Sequence, residues 1–98
     1  MNREQAKQYI LEHATEYFKR DKSGKGYICP ICGSGGGDNG TGITENPKAR
    51  GHFTCWAGCF TNADLFEIVG KQYDLYTFNE QMYSLCNFFR LPYIEEVL

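Results

Sequence analysis

The chain has 98 residues, enough for one domain and too few for a nucleotidyltransferase, kinase or dehydrogenase core beside anything else. At 42% hydrophobic, 22% charged and net charge -2, its bulk composition is ordinary for a soluble domain and does not advertise nucleic-acid binding. No apolar run approaches the roughly 20 residues that span a bilayer, and MNREQAKQYI lacks the apolar middle of a secretory signal; the expectation is a cytoplasmic, reducing location without membrane contact, where disulfides are rare.

Residues 2–18 read as a helix. Ala6, Ile10, Ala14, Tyr17 and Phe18 recur on one face with Leu11 beside them, and Asn2 is a plausible N-cap. The turn-forming steps of KRDKSGKG should stop it. His13 reads as a surface helix residue. The middle, GYICPICGSGGGDNGTGITENPKARGHFTC, carries short apolar or β-branched pieces at Tyr27-Ile28, Ile43-Thr44 and His52 to Thr54, expected as short strands between turns. Ser34 to Gly42 is too glycine-rich to build a core, so another agent must hold this region together. Charge is uneven: Lys19 to Cys55 holds six basic residues (Lys19, Arg20, Lys22, Lys25, Lys48, Arg50) against three acidic ones (Asp21, Asp38, Glu45), whereas Cys59 onward holds two basic against six acidic. A locally positive segment can take phosphate even when the total is negative; two ordinary solvated faces are the competing explanation.

After the middle, Thr61 or Asn62 can cap ADLFEIV, with Gly70 as its expected stop. TFNE at 77–80 has the form of a capping box opening a helix with Phe78, Met82, Leu85, Cys86 and Phe89 on its apolar face, ended by Pro92. The tail YIEEVL is either a short helix or frayed.

Cys29 and Cys32 form C-P-I-C, Cys55 and Cys59 form C-W-A-G-C, and 22 residues separate the pairs. Two close cysteine pairs at about this separation are a zinc pattern. Zinc takes four thiolates in a tetrahedron at about 2.3 Å, and a short spacer lets one tight turn aim two sulfurs at one ion. Cys29, Cys32, Cys55 and Cys59 are therefore the expected ligands of a single structural Zn2+ with no open position for water. Its binding would supply the folding free energy that the glycine-rich middle lacks. A redox C-x-x-C would want a βαβ context, which is missing; chance core cysteines are the other alternative, and His52 is a conceivable substitute ligand. Cys86, among apolar residues, reads as a core thiol. GSGGGDNGTG lacks the Lys and Ser/Thr of a phosphate loop, and Asp38, Glu45, Asp64 and Glu67 are too scattered for a carboxylate cluster, so no catalytic site is expected.

The order of these pieces (apolar helix, basic turn, GYICPIC, ITENPKARGHFTC, CWAGC, NADLFEIV) resembles the N-terminal zinc-binding domain of bacterial and phage DnaG-type DNA primases. Cys29-Pro30, Ile43-Thr44, Lys48 to Arg50, Phe53, Cys55, Trp56, Cys59 and Asn62 to Val69 carry the resemblance, which covers residues 19–70 well. The chain departs from that family in having Cys32 where a histidine is usual, three residues rather than two in the second pair, and glycines in place of T-P-S-F. The resemblance implies a small α+β fold, a zinc ribbon with a short antiparallel sheet and two cysteine knuckles flanked by helices. It forms one domain over 1–98, with an N-terminal helix to 18, the ribbon and following helix over 19–70, and a helical extension over 71–98. It further implies a module that engages single-stranded template DNA to support RNA primer initiation, with a separate Toprim-type catalytic domain or a replicative helicase as partner.

Single-strand binding combines a basic track with aromatic platforms. Lys48, Arg50, His52 and Trp56 are the leading candidate contacts, with Lys22 and Lys25 behind them. Phe53 and Phe60 face either the core or a base, and Trp56 either packs on the zinc site or faces DNA. A zinc-ribbon adaptor that binds protein through the acidic C-terminal half is the rival expectation, and a redox-sensing zinc switch a third.

Overall fold

The computed structural model describes residues 2–22, 24–36 and 42–92. Its elements are α1 (Arg3–Glu12), a 3-10 turn (Ala14–Tyr17), β1 (Ile43–Glu45), β2 (Phe53–Cys55), α2 (Leu65–Tyr73) and α3 (Phe78–Phe89). This is the small α+β architecture expected of a zinc ribbon flanked by helices.

α1 starts where the sequence places it. Asn2 Oδ1 accepts from Gln5 N at 2.8 Å while Gln5 Oε1 accepts from Asn2 N at 3.1 Å, a reciprocal capping box that stabilises a helix start by about 1 kcal/mol. The helix ends at Glu12, well short of the expected 18. Thr15, Tyr17 and Phe18 are weak helix formers, and Phe18 must leave the helix in an extended conformation (φ -105°, ψ 151°) for its ring to reach Phe53 at 4.8 Å. His13 is consequently not a helix-surface residue: it caps α1, half-buried, stacked 4.0 Å from the Tyr9 ring.

β1 and β2 pair antiparallel in the register Ile43↔Cys55, Thr44↔Thr54, Glu45↔Phe53. Single bridges extend the ladder sideways, Arg20↔Tyr27 and Tyr27↔Ile43 on one side and Phe53↔Ala63 on the other. The strand expected at Tyr27-Ile28 is thus reduced to the one bridging residue Tyr27. Side chains alternate across such a sheet. Ile43, Phe53 and Cys55 are buried on the inner face, where Phe18 and Tyr27 meet Phe53 edge-on. Thr44 and Thr54 stand on the outer face. Phe53 and Phe60 are core residues, 0% and 2% exposed.

α2 is capped by Asp64, whose side chain accepts from Glu67 N at 2.9 Å, rather than by Thr61 or Asn62. The reason lies in the sheet: Ala63 is held in the ladder by two backbone bonds to Phe53, so the helix cannot begin before it. Gly70 does not stop α2, which runs to Tyr73 and closes on Asp74 in the left-handed region (φ 57°). Gly70 serves packing instead: a Cβ there would lie 2.7 Å from Gln81 Nε2 and 2.8 Å from Leu75 O. α3 is capped by Thr77, which accepts from Glu80 N and donates its hydroxyl to Glu80 Oε1; it ends at Phe89 on a left-handed Arg90 (φ 56°), ahead of Pro92. Met82, Leu85 and Cys86 are buried, α3 packing against both α1 and α2. The tail YIEEVL, residues 93–98, and the glycine-rich residues 37–41 lie outside the described residues.

Candidate metal centre and adjoining sheet face

The sulfurs of Cys29, Cys32, Cys55 and Cys59 all lie within 4.8 Å of one another. Cys32 Sγ and Cys55 Sγ are 3.8 Å apart. A tetrahedron with metal–sulfur bonds of about 2.3 Å has edges of about 3.8 Å, so the donor set fits one thiophilic ion. His52 is not in this cluster; its Nδ1 lies 3.4 Å from Arg50 O.

Both knuckles close over the same length of backbone. In the first, Cys29 N donates to Ser34 O at 3.0 Å; in the second, Cys55 N donates to Phe60 O at 2.9 Å, five residues on in each case. Each loop needs one left-handed residue inside that frame, and a glycine supplies it: Gly33 (φ 75°) just after the second ligand, Gly58 (φ 102°) just before it. The extra spacer residue of C-W-A-G-C is absorbed by exchanging the order of glycine and cysteine.

The first cysteine of each knuckle is buried, Cys29 at 1% and Cys55 at 3% exposed, whereas Cys32 is exposed and Cys59 half-buried. Burial opposes ionisation of Cys55, yet N–H groups of Cys59 and Ala57 aimed at its sulfur outweigh burial and bring the thiol down to about 7. Cys29 receives N–H groups from Cys32 and Ile31, but burial still holds it above its ordinary value. Burial, then sulfur contacts with Cys32 and Cys55, push Cys59 up to about 12. Four thiols this close cannot all ionise in an empty cluster; a cation among them removes that conflict. Cys86 stands apart in the helical core, its thiol raised by burial.

The outer sheet face adjoins the knuckles. Trp56 is 65% exposed, and its indole Nε1–H donates to Thr44 Oγ1 at 2.9 Å. Thr54 Oγ1, directly across from Thr44, accepts from Asn62 N at 3.0 Å. Asn62 Oδ1 accepts from Asn46 Nδ2 at 3.0 Å, and Asn46 Oδ1 accepts from Lys48 N at 2.9 Å. Half-buried His52 precedes Thr54 by two residues, hence on the same face.

Lys48 and Arg50 are exposed in the β1–β2 turn, and Lys22 and Lys25 are exposed in the turn between Arg20 and Tyr27. The antiparallel pairing of Tyr27, Ile43 and Cys55 sends both turns off the end of the sheet away from the knuckles. The six sequence-predicted contacts therefore divide, with Trp56 at the knuckle end and His52 and the four cations at the other, separated by about 10 Å of strand. Sequence reasoning missed Thr44, Asn46, Thr54 and Asn62. The two-residue alternation of β1 and β2 was the available signal for the threonines; nothing local marks the asparagines. Comparison with known protein families, characterised proteins and solved structures finds no match to this chain.

Proposed function

We propose that this chain is the zinc-ribbon module of a DNA primase, holding one structural Zn2+ and binding single-stranded template DNA to support RNA primer initiation. Cys29, Cys32, Cys55 and Cys59 hold the ion, which when bound supplies the cross-link that fixes both knuckles. The single observation that carries the reading is the junction of this four-sulfur cluster with a polar sheet face bearing an exposed, oriented Trp56. On that face Trp56 stacks a base at the knuckle end, His52 stands at the turn end, and Lys48 and Arg50, then Lys22 and Lys25, take phosphates. A fully ligated zinc has no place for a substrate, so the module acts by presenting template to a Toprim-type catalytic partner or a replicative helicase.

The test has two arms. Elemental analysis of purified protein should give one zinc per chain. Binding to a labelled single-stranded oligonucleotide should weaken with salt and lose about 1.4 from its log–log salt slope when Lys48 and Arg50 both become alanine, about 0.7 for each phosphate contact. Absence of any salt-sensitive binding overturns the DNA reading. A protein-binding adaptor is the second reading, favoured by the exposed aromatics of the acidic C-terminal half, Tyr73, Tyr76, Tyr83 and Phe88; it predicts that Tyr76→Ala and Tyr83→Ala, not the lysine and arginine variants, abolish function.

A further inference from the structure

We infer that Cys32 is the thiolate through which hydroperoxides oxidise the cluster and release its metal; this rests on the zinc half of the reading above. Oxidation of a cysteine needs thiolate character and access to solvent. A thiol on a metal ion is held as thiolate, so within the cluster access decides which sulfur reacts first.

The fold distributes that access unevenly. Cys29 and Cys55 are buried, and backbone N–H groups aimed at their sulfurs stabilise the thiolate charge and weaken it as a nucleophile. Cys59 is half-buried. The next residue, Phe60, is anchored in the core, and Lys71 Nζ reaches from α2 to donate to the Cys59 carbonyl at 3.3 Å. Cys32 alone of the four is exposed. Its neighbours Ile31 and Gly33 are exposed too, and a Cβ on Gly33 would meet nothing within 4 Å, so the turn that carries Cys32 stands open to solvent. The three other sulfurs lie within 4.8 Å of it, close enough for one of them to resolve an oxidised Cys32.

The chemistry needs no co-reactant besides the peroxide. The Cys32 thiolate attacks one oxygen of hydrogen peroxide and the O–O bond breaks. That oxygen stays on sulfur as a sulfenic acid, and the other leaves as hydroxide and is protonated to water. A second thiolate of the cluster then attacks the Cys32 sulfur; an S–S bond forms, and the hydroxyl takes a proton and leaves as water. Two thiolates have given up two electrons, and the peroxide has been reduced to two waters. The two thiolates that remain do not complete a tetrahedral site, so the ion leaves and the cross-link between the knuckles goes with it.

The experiment uses the full zinc-loaded chain, its metal content measured first by elemental analysis. Substoichiometric N-ethylmaleimide followed by peptide mass spectrometry should label Cys32 about tenfold ahead of Cys59, as thiolate access dictates, and leave Cys86, buried in the helical core, unlabelled. Cys32→His keeps a site of three cysteines and one histidine and removes the exposed thiolate. With hydrogen peroxide and a metallochromic dye it should release zinc about tenfold more slowly than the unaltered chain. A first label on Cys59, a label spread evenly over the four, or equal zinc release from Cys32→His overturns this inference and leaves the zinc reading standing. Should Cys32→His fail to load zinc, the label map of the unaltered chain decides alone. An unaltered chain that holds no zinc overturns both.

Discussion

Removing the metal should unfold the ribbon and spare the helices. A structural zinc contributes about 10–16 kcal/mol of apparent binding free energy, whereas the net stability of a domain this size is about 5–15 kcal/mol in total. The ribbon has little with which to replace it: among the described residues from Cys29 to Phe60 the buried side chains are Cys29, Ile43, Phe53, Cys55 and Phe60, and two of those five are ligands. The helical layer has its own supply in Ala6, Ile10, Leu65, Ile68, Val69, Met82 and Leu85, all 0% exposed. Hydrogen exchange with and without a strong zinc chelator separates the two parts. The amides of Tyr27, Ile43, Phe53 and Ala63, which carry ladder bonds, and that of Cys55, which closes the second knuckle on Phe60 O, should lose protection on chelation, while those of Met82 and Leu85 keep theirs. Ladder amides that stay protected in metal-free protein would refute the claim that the ion holds this region together.

Phe53→Ala removes a fully buried ring at the junction of sheet and helices and should cost about 3–5 kcal/mol in urea denaturation. Gly42→Ala places a Cβ on the backbone carbonyls of Tyr27 and Ser34, where β1 crosses the first knuckle; competition with a metallochromic chelator should show much weaker zinc binding, while the helical circular dichroism signal persists. Burial, then the Tyr73 hydroxyl, raises Tyr17 from 10.0 to about 12. The unfolded chain therefore sheds this proton first, and stability present below pH 10 falls as pH rises through about 12. Chemical denaturation across that window should show a shallower fall for Tyr17→Phe than for the unaltered chain.

The metal cluster was legible because ligand chemistry leaves a spacing in the sequence that burial does not blur: four cysteines in two pairs met as expected. Caps written in side-chain chemistry, Asn2 with Gln5 and Thr77 with Glu80, were legible for the same reason. What failed depended on remote partners. Gly70 reads locally as a helix stop, yet α3 and the Leu75 carbonyl need its missing Cβ. Asp64 caps α2 only because Ala63 is committed to Phe53. α1 ends at Glu12 because Phe18 is needed against the sheet. The direction of Phe53 required the register with β1, and the Asn46–Asn62 pairing joins residues on two different loops.

The equal reach of the two knuckles has a consequence for how such sites can change. Cys29 to Ser34 and Cys55 to Phe60 are frames of one length, so the strands feel the frame and not the position of the second sulfur inside it. A ligand can move one place along the loop, provided a glycine takes the place it vacates, and the sheet registers no shift. The residues PICGS and WAGCF are in that sense exchangeable cassettes. A search pattern that insists on a two-residue spacer in both halves rejects a chain whose backbone satisfies it twice.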